Sequence, residues 1–560
     1  MPGVVRSTIA NLRQAFANDG IRRLGITWTL GIAADTALTV VTIVTVYNRA
    51  GVLAAGVLGA VRMIPAVAAG LLSGTLIERV RGDRFLVLLG LIRAFAAAGV
   101  AWAIFTAGPT MADHQVTLIA MIIFATISST AAAPVRPTQT TLMPALARSP
   151  QELVAANTLW STGEGIGAFA GPFVAAILMG INQHGLVAGL AAVTFLATAI
   201  ISAGLRFEHA ADAAGGTQRK SRGLRLRDGV RAIRKQTVLA WSMFGTWGQV
   251  VTRGLLNAMT VVAAIELLRM GQGGTGLLAA AFGLGGLFGA FYAMTFVRSD
   301  RLIWTQVIGL VFWGLPLSVI GVFPIQEIAL AAMVVIGVSN ATYDVALFTT
   351  FQRATANEDR APVMSVLEGV IGVGSISGSL LAPLLIFVLE IQGALIVGGL
   401  ILPVIAALIY LRIGRRDRII VVDEETLALL RRVPMFAELP LTAIERLAAG
   451  LHPVSFKAGE ALMTQGEPGD TFVVIKDGEV EVSIDGQPIH RQGPGSGVGE
   501  IALVRRSART ATVVAVTDVA GYSIDASTFL AAIAGPAAAA VTERLVEARL
   551  HENTEPAPAA

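Results

Sequence analysis

Long apolar runs broken by short polar loops fill the first three quarters of the chain, and their lengths predict the elements. A helix crosses a bilayer in roughly 20 residues. Apolar windows of that size fall at about 21–47, 51–77, 85–107, 115–143, 153–181, 185–205, 237–268, 273–297, 301–323, 327–354, 361–390 and 392–413. The polar stretch 206–236 divides these twelve windows six and six. From about 423 the pattern changes. ETLALLRRVPMFAELPLTAIERLAAGL (425–451) has helical apolar spacing with Pro breaks, and 453–525 alternates short β-type runs (TFVVI, EVEVSI, TATVVAV) with turns such as KDGE and IDGQ. A last Ala-rich helix is predicted over 536–551, ahead of the tail ENTEPAPAA.

The expected architecture is an all-α bundle of twelve transmembrane helices in two six-helix halves, plus a jelly-roll-like β-barrel domain bracketed by helices. Its divisions are a first half (1–205), a basic central loop (206–236), a second half (237–414), a linker (415–422), a β domain (423–551) and a disordered tail (552–560).

Composition supports the membrane assignment. Hydrophobic residues make up 54% of the chain and charged residues 14%, with a mean hydropathy of +0.69, whereas a soluble domain carries about a quarter charged residues. The apolar mass is Ala, Val, Leu and Ile with 60 Gly, which suits helices that approach closely. The net charge of +4 lies beside membrane spans rather than on one soluble face, which argues against nucleic-acid binding. QRKSRGLRLRDGVRAIRKQ (218–236) falls on the same predicted side as Arg79, Arg81, Arg84, Arg148, Arg298, Arg301, Arg353, Arg360 and Arg412, while the opposite loops offer little beyond Arg49 and Arg269. By the positive-inside rule both termini, the central loop and the β domain are expected in the cytoplasm. The first span, preceded by Arg6, Arg13, Arg22 and Arg23 without a clear cleavage site, reads as retained. With no Cys, disulfides and Cys-ligated metal centres are excluded. The six His residues form no metal-ligating pattern, no G-x-x-x-x-G-K-[ST] phosphate loop occurs, and no nucleophile–base set points to an enzyme.

The stretch VGEIALVRRSARTATV (498–513) carries the clearest chemistry. Gly499 permits backbone conformations closed to other residues, and Glu500-Ile501-Ala502-Leu503 can form a helical turn whose free N–H groups converge on an anion. Nine residues beyond Glu500, Arg509 returns a guanidinium and Thr510 a hydroxyl. A carboxylate beside an anion subsite makes sense if it accepts hydrogen bonds from a hydroxyl, and a sugar phosphate offers both groups.

Residues 423–551 resemble a cyclic nucleotide-binding domain of the catabolite activator and protein kinase A regulatory type, on PMFAEL, FKAGEALMTQGEPGDTFVVIKDGEVEV and GEIAL…ARTATV. The resemblance implies that Glu500 accepts from the ribose 2′-OH, that Arg509 pairs with the cyclic phosphate, and that Gly499, Ile501, Ala502 and Thr510 complete the cradle. Ala508 departs from the Pro often found there, which is expected to cost rigidity rather than binding. Thr542 or Arg544 on the last helix could cover the base. A bacterial context favours cyclic AMP over cyclic GMP as the regulatory ligand.

The twelve spans and GTLIERVRGDR (74–84) are similar to the major facilitator superfamily. Gly74, Leu76 and Arg79 match its loop signature, Glu78 replaces Asp, and Arg81-Gly82 reverses the later pair; the likeness implies a gating loop. TTLMPALARSPQELVAANTL (140–159) and TTFQRATANEDRAPVMSVL (349–367) repeat the same placement in the two halves. PALARSPQELVAANTLWSTGEGIGAFAGP further resembles the exporter branch that includes siderophore and macrolide efflux proteins.

Charges inside spans are costly and therefore functional candidates: Asp35, Arg62, Arg93, Glu164, Arg253, Asp344 and Glu368. Asp35, then Glu164 and Glu368, are the expected proton-titrating or cation-recognising carboxylates. The plain alternative is a structural ion pair, for instance of Asp35 with Arg253 or Arg62. Together these readings predict a secondary transporter, a proton-coupled exporter of an amphipathic small molecule, regulated by cyclic AMP. A lipid translocator and a membrane-tethered nucleotide receptor are the alternatives.

Overall fold

Inside a bilayer the backbone has no water to bond, so each apolar run must close its hydrogen bonds within a helix. The computed structural model describes residues 15–77, 81–106, 111–147, 150–205, 226–296, 302–355, 360–413, 424–437 and 450–533, residue 506 apart, with residues 13, 439, 444, 447 and 448. Two compact units result, Met1–Asp417 and Arg418–Ala560. The greater part of the central loop, the linker 415–422, the last helix 536–551 with Thr542 and Arg544, and the tail lie outside the described residues, as do Glu78 and Arg79.

In the first unit, nine helices among the described residues are long and apolar enough to cross a membrane. Two of these are broken: Asp19–Ile77 at Gly51 and Arg360–Ile413 at Glu390, both with positive φ. Counting each broken helix as two and adding the shorter apolar helix Gly274–Phe296 gives twelve apolar helical segments among the described residues. Within the halves, Asp19–Ile77 packs on Pro150–Gly180, Gly82–Phe105 on His184–Ala203, Thr237–Val262 on Arg360–Ile413, and Gly274–Phe296 on Gln326–Ala354. Between halves, Pro150–Gly180 meets Gly274–Phe296 and Asp19–Ile77 meets Arg360–Ile413.

Glycine makes these approaches possible. A Cβ at Gly283 would lie 2.3 Å from the Ala168 carbonyl oxygen, and one at Gly378 would lie 2.0 Å from that of Val251. Lipid-facing positions such as Phe95, Phe387 and Leu411 are exposed apolar residues, while Trp313, Tyr343 and Phe351 are buried, the arrangement expected when the solvent is hydrocarbon. Buried polar groups of the second half bond one another: Gln249 Nε2 and Trp313 Nε1 both donate to Asn340 Oδ1, at 2.8 and 3.1 Å. Thr237–Val262 ends in a π turn, Ala263–Leu267, and there the Tyr47 hydroxyl donates to Glu266, tying the two halves together.

In the second unit, β1 (Leu451–Phe456), β8 (Val519–Asp525), β3 (Thr471–Asp477) and β6 (Gly497–Val498) form one antiparallel sheet in that order. β2 (Ala461–Met463), β7 (Thr512–Ala515), β4 (Val480–Ile484) and β5 (Gln487–Gln492) form the other. The β4–β5 hairpin turns on Asp485 and Gly486, both with positive φ, as a tight two-residue turn needs. The core is aromatic: Phe436, Phe472 and Phe529 are buried, with ring centroids 4.9 to 6.0 Å apart. The helix Glu424–Arg432 and the turn Pro434–Phe436 bring Leu430 and Phe436 onto it.

Candidate functional site

β6 ends at Val498, Gly499 takes φ +99°, and the helix Glu500–Arg505 begins at once. The glycine is required twice over. A side chain there would strain the backbone, and a Cβ would stand 2.5 Å from Arg509 Nη1 and 3.0 Å from the Thr471 carbonyl oxygen. Gly499→Ala is therefore expected to destabilise this unit by about 1–2 kcal/mol, read as a lower melting temperature of its calorimetric transition in full-length protein.

Arg509 is buried, with 6% exposure, and so is Glu500, with 3%. Its Nη1 donates to the Gly499 carbonyl at 3.1 Å, and its Nη2 donates to Thr471 O at 2.7 Å and Thr471 Oγ1 at 3.1 Å. Burial pulls the Arg509 pKa below its ordinary value, while Asp470, Glu500 and Glu467 oppose the shift. The strand leading to Arg509 is itself pinned. Pro468 and Ala508 form an antiparallel bridge, and Arg509 N donates to Glu467 O at 2.8 Å.

Gly499, Glu500, Ile501, Ala502, Arg509 and Thr510 all line one cavity. Its other walls include Met463 and Val482 and, from β5, His490 and Gln492. The sequence reading missed Thr471, His490 and Gln492. The signal for the last two was the alternation of QPIHRQ, which puts residues two apart on one face; Thr471 had no signal, because its role depends on where β3 passes Arg509. Gln492 Oε1 is buried without a partner, an acceptor beside a cavity that also offers a guanidinium, a carboxylate and apolar walls. The cavity's polar groups suit an anionic group and a hydroxyl.

The charged residues of the membrane unit form two groups. Asp35 pairs with Arg93 at 2.7 Å, rather than with Arg253 or Arg62, because Gly82–Phe105 carries Arg93 against the first helix. Arg93 is buried and lies over the Phe195 ring, 4.0 Å from its centroid. Arg62 donates from Nη1 to Thr39 Oγ1 at 3.1 Å.

In the second group Arg136 pairs with Glu164 at 2.6 Å and sits over the Trp160 ring at 4.8 Å, where Trp28 and Trp160 stack. Asp344 accepts from Asn340 Nδ2 at 3.0 Å and lies in the field of Arg253, Arg136 and Glu164; Glu368, exposed, lies in that of Arg136. Arg136, which the sequence reading did not single out, pairs with Glu164 and acts electrostatically on Asp344 and Glu368. Asp35, Arg62, Arg93 and Arg136 line a cavity of about 370 Å³. A neighbouring one of about 140 Å³ shares Arg62 and Met63 and adds Arg253. Gly74 lies within the helix Asp19–Ile77. Among the described residues no group of three His, Asp or Glu could hold a metal ion.

Comparison with known proteins finds a match within each unit. Residues 24–302 match the model of the Major Facilitator Superfamily, and residues 453–535 match the model of the cyclic nucleotide-binding domain. The chain thus carries a Major Facilitator Superfamily domain, with several helices long and apolar enough to cross a membrane, and a C-terminal cyclic nucleotide-binding domain.

Curated relatives include the acetyltransferase Pat of Mycolicibacterium smegmatis, 45% identical over 92 residues (16% of this chain, 28% of the relative), a likeness confined to the nucleotide-binding domain. The cAMP-dependent protein kinase regulatory subunit of Yarrowia lipolytica is 37% identical over 95 residues (17% of this chain, 25% of the relative). The chain spans about a quarter of the length of these relatives. Among solved structures, the regulatory domain of Toxoplasma gondii PKA with cAMP matches at 26% identity and a TM-score of 0.20, covering 22% of this chain and 46% of that one.

Proposed function

We propose that the protein is a secondary active transporter, a proton-coupled exporter of an amphipathic small molecule, whose alternating access is biased by cyclic AMP. It is not an enzyme in this reading. The carrying observation is the cavity that gathers Gly499, Glu500, Ile501, Ala502, Arg509 and Thr510 on a domain fused to a transporter fold. Glu500 accepts from the ribose 2′-OH, Arg509 takes the cyclic phosphate in exchange for part of its bonding to Gly499 and Thr471, and the amides at 501 and 502 complete the cradle. His490 and Gln492 line the base side.

In the membrane unit, Asp35, with Glu164 and Glu368, accepts and releases the driving proton, and Arg62 and Arg253 assist. The Arg-rich loops favour a cytoplasmic position for both termini and the nucleotide-binding domain, where a second messenger is found. The linker 415–422 is short enough to transmit a change rather than merely tether. The effect of nucleotide equals its differential affinity for the inward and outward states.

Hydrogen exchange on full-length protein, with and without cyclic AMP, tests the coupling. Exchange is expected to slow across 499–513 and to change at helix ends of the membrane unit, and neither effect should occur in Arg509→Ala. Transport of fluorescent amphiphiles in vesicles with an imposed pH gradient should then respond to the nucleotide. Slowing confined to 499–513, with transport indifferent to cyclic AMP, would rule the regulation out.

A further inference from the structure

The two adjoining membrane cavities are unequal in charge. Their walls bring Arg62, Arg93, Arg136 and Arg253 together and contribute a single carboxylate, Asp35. Arg93 and Arg136 form salt bridges, with Asp35 and Glu164, while Arg253 and Arg62 lie in the fields of Asp344 and Asp35 without one among the described residues. Arg62 is different. It lines both cavities, bonds a neutral hydroxyl on Thr39, and shares the field of Asp35 with Arg93. A cation at membrane depth is costly unless an anion answers it, and here one carboxylate serves two guanidinium groups.

A second observation points the same way. Trp28 and Arg93, both on the wall of the larger cavity and both more than nine-tenths buried, each carry a donor without a partner: Trp28 Nε1 and Arg93 Nε. Arg62 Nε is a third. All three are donors, which an acceptor-rich group would satisfy, and each buried donor left unmet costs about 1–3 kcal/mol. Ile32, Met63, Leu86 and Val135 give the wall an apolar part beside the hydroxyl and amide groups of Thr27, Ser129, Gln139 and Thr198, and a volume of about 370 Å³ suits a small organic molecule.

We infer that these cavities bind an amphipathic anion, with its carboxylate or phosphate on Arg62 and its apolar body against Trp28 and Met63. The inference rests on the transporter reading and narrows its substrate class. The anionic group belongs either to a soluble amphiphile or to a lipid headgroup.

Binding to full-length protein in a neutral maltoside detergent tests it, through the midpoint of thermal unfolding at graded ligand concentration. The soluble probes are 2-naphthoate, its amide 2-naphthamide and the cation 2-naphthylmethylammonium; the lipid probes are lysophosphatidylglycerol and lysophosphatidylcholine. Naphthoate, or lysophosphatidylglycerol among the lipids, is expected to stabilise the protein at millimolar or lower concentration. Its neutral or zwitterionic counterpart should bind about tenfold or more weakly, the worth of one charge-assisted hydrogen bond. Arg62→Gln should remove the preference for the anion, and Arg62→Lys should retain part of it.

Stabilisation by lysophosphatidylglycerol alone would assign the anion to a lipid. Equal binding of naphthoate and naphthamide, no binding of either anion, or an anion preference intact in a folded Arg62→Gln protein would overturn the inference. The assay uses no gradient, so loss of transport with binding intact would count against the transporter reading instead.

Discussion

Arg509→Ala is expected to weaken cyclic AMP binding by about two to three orders of magnitude, the range produced when one member of a buried charge pair is removed, roughly 3–4 kcal/mol. Three features set the size. Its guanidinium is 6% exposed, so its charge acts through protein rather than water. It lines the same cavity as Gly499 and Glu500. It also bonds Gly499 O and Thr471 O, so its removal loosens the loop from which the amides of the cradle project.

Arg509→Lys separates charge from shape. A lysine keeps the charge but lacks the planar fork that reaches two partners at once, and a loss of about tenfold is expected. Calorimetric titration of full-length protein with cyclic AMP measures both variants, and a calorimetric scan confirms that each folds. Unchanged affinity in Arg509→Ala would remove this residue from the nucleotide site.

Asp35→Ala is expected to destabilise the membrane unit by about 3 kcal/mol, the low end of the range for breaking a buried ion pair. The Arg93 side chain is 7% exposed and that of Asp35 is 38% exposed. The arginine therefore bears most of the penalty, because it stays buried with no carboxylate at 2.7 Å, and Arg62 loses the same counter-charge. Arg93→Leu should cost less, since its remaining partner faces a cavity and can be hydrated.

The double variant Asp35→Ala/Arg93→Leu is expected to recover part of the loss, because neither charge then remains. Thermal unfolding in detergent gives the coupling, and additive losses would show that the pair is not a unit. Proton coupling is read separately. Asp35→Asn keeps the shape but cannot ionise, and pH-gradient-driven transport should vanish while the protein remains folded.

How much of this was legible in the sequence varied with the range of the interaction. The set of residues that line the β-domain cavity could be read almost whole, because Gly499, Glu500, Ile501, Ala502, Arg509 and Thr510 lie within 12 residues of one another and a strand, a turn and one helical turn bring them together locally. Thr471 and Gln492 come from other strands, so only the sheet order β1-β8-β3-β6 and the β4–β5 pairing place them there. In the membrane unit the charged positions stood out singly, each as a polar residue in an apolar run, but their pairing did not. Asp35 meets Arg93, 58 positions away, and the choice among Arg62, Arg93 and Arg253 rests on which helix faces which.

What the sequence determined by itself is what depends on the solvent and on near neighbours. Hydrocarbon forces apolar runs of bilayer length into helices, a two-residue turn needs positive φ at Asp485 and Gly486, and a loop built around Gly499 can turn its amides and an arginine toward one point. Tertiary structure alone decided what depends on helices and strands far apart in the chain. It set the pairing of Asp35 with Arg93, the pairing of Glu164 with Arg136, and the cationic excess around Arg62. The physical reason is that charge acts over distance in space, and spacing along a chain of rigid helices does not reveal which of their faces pack together.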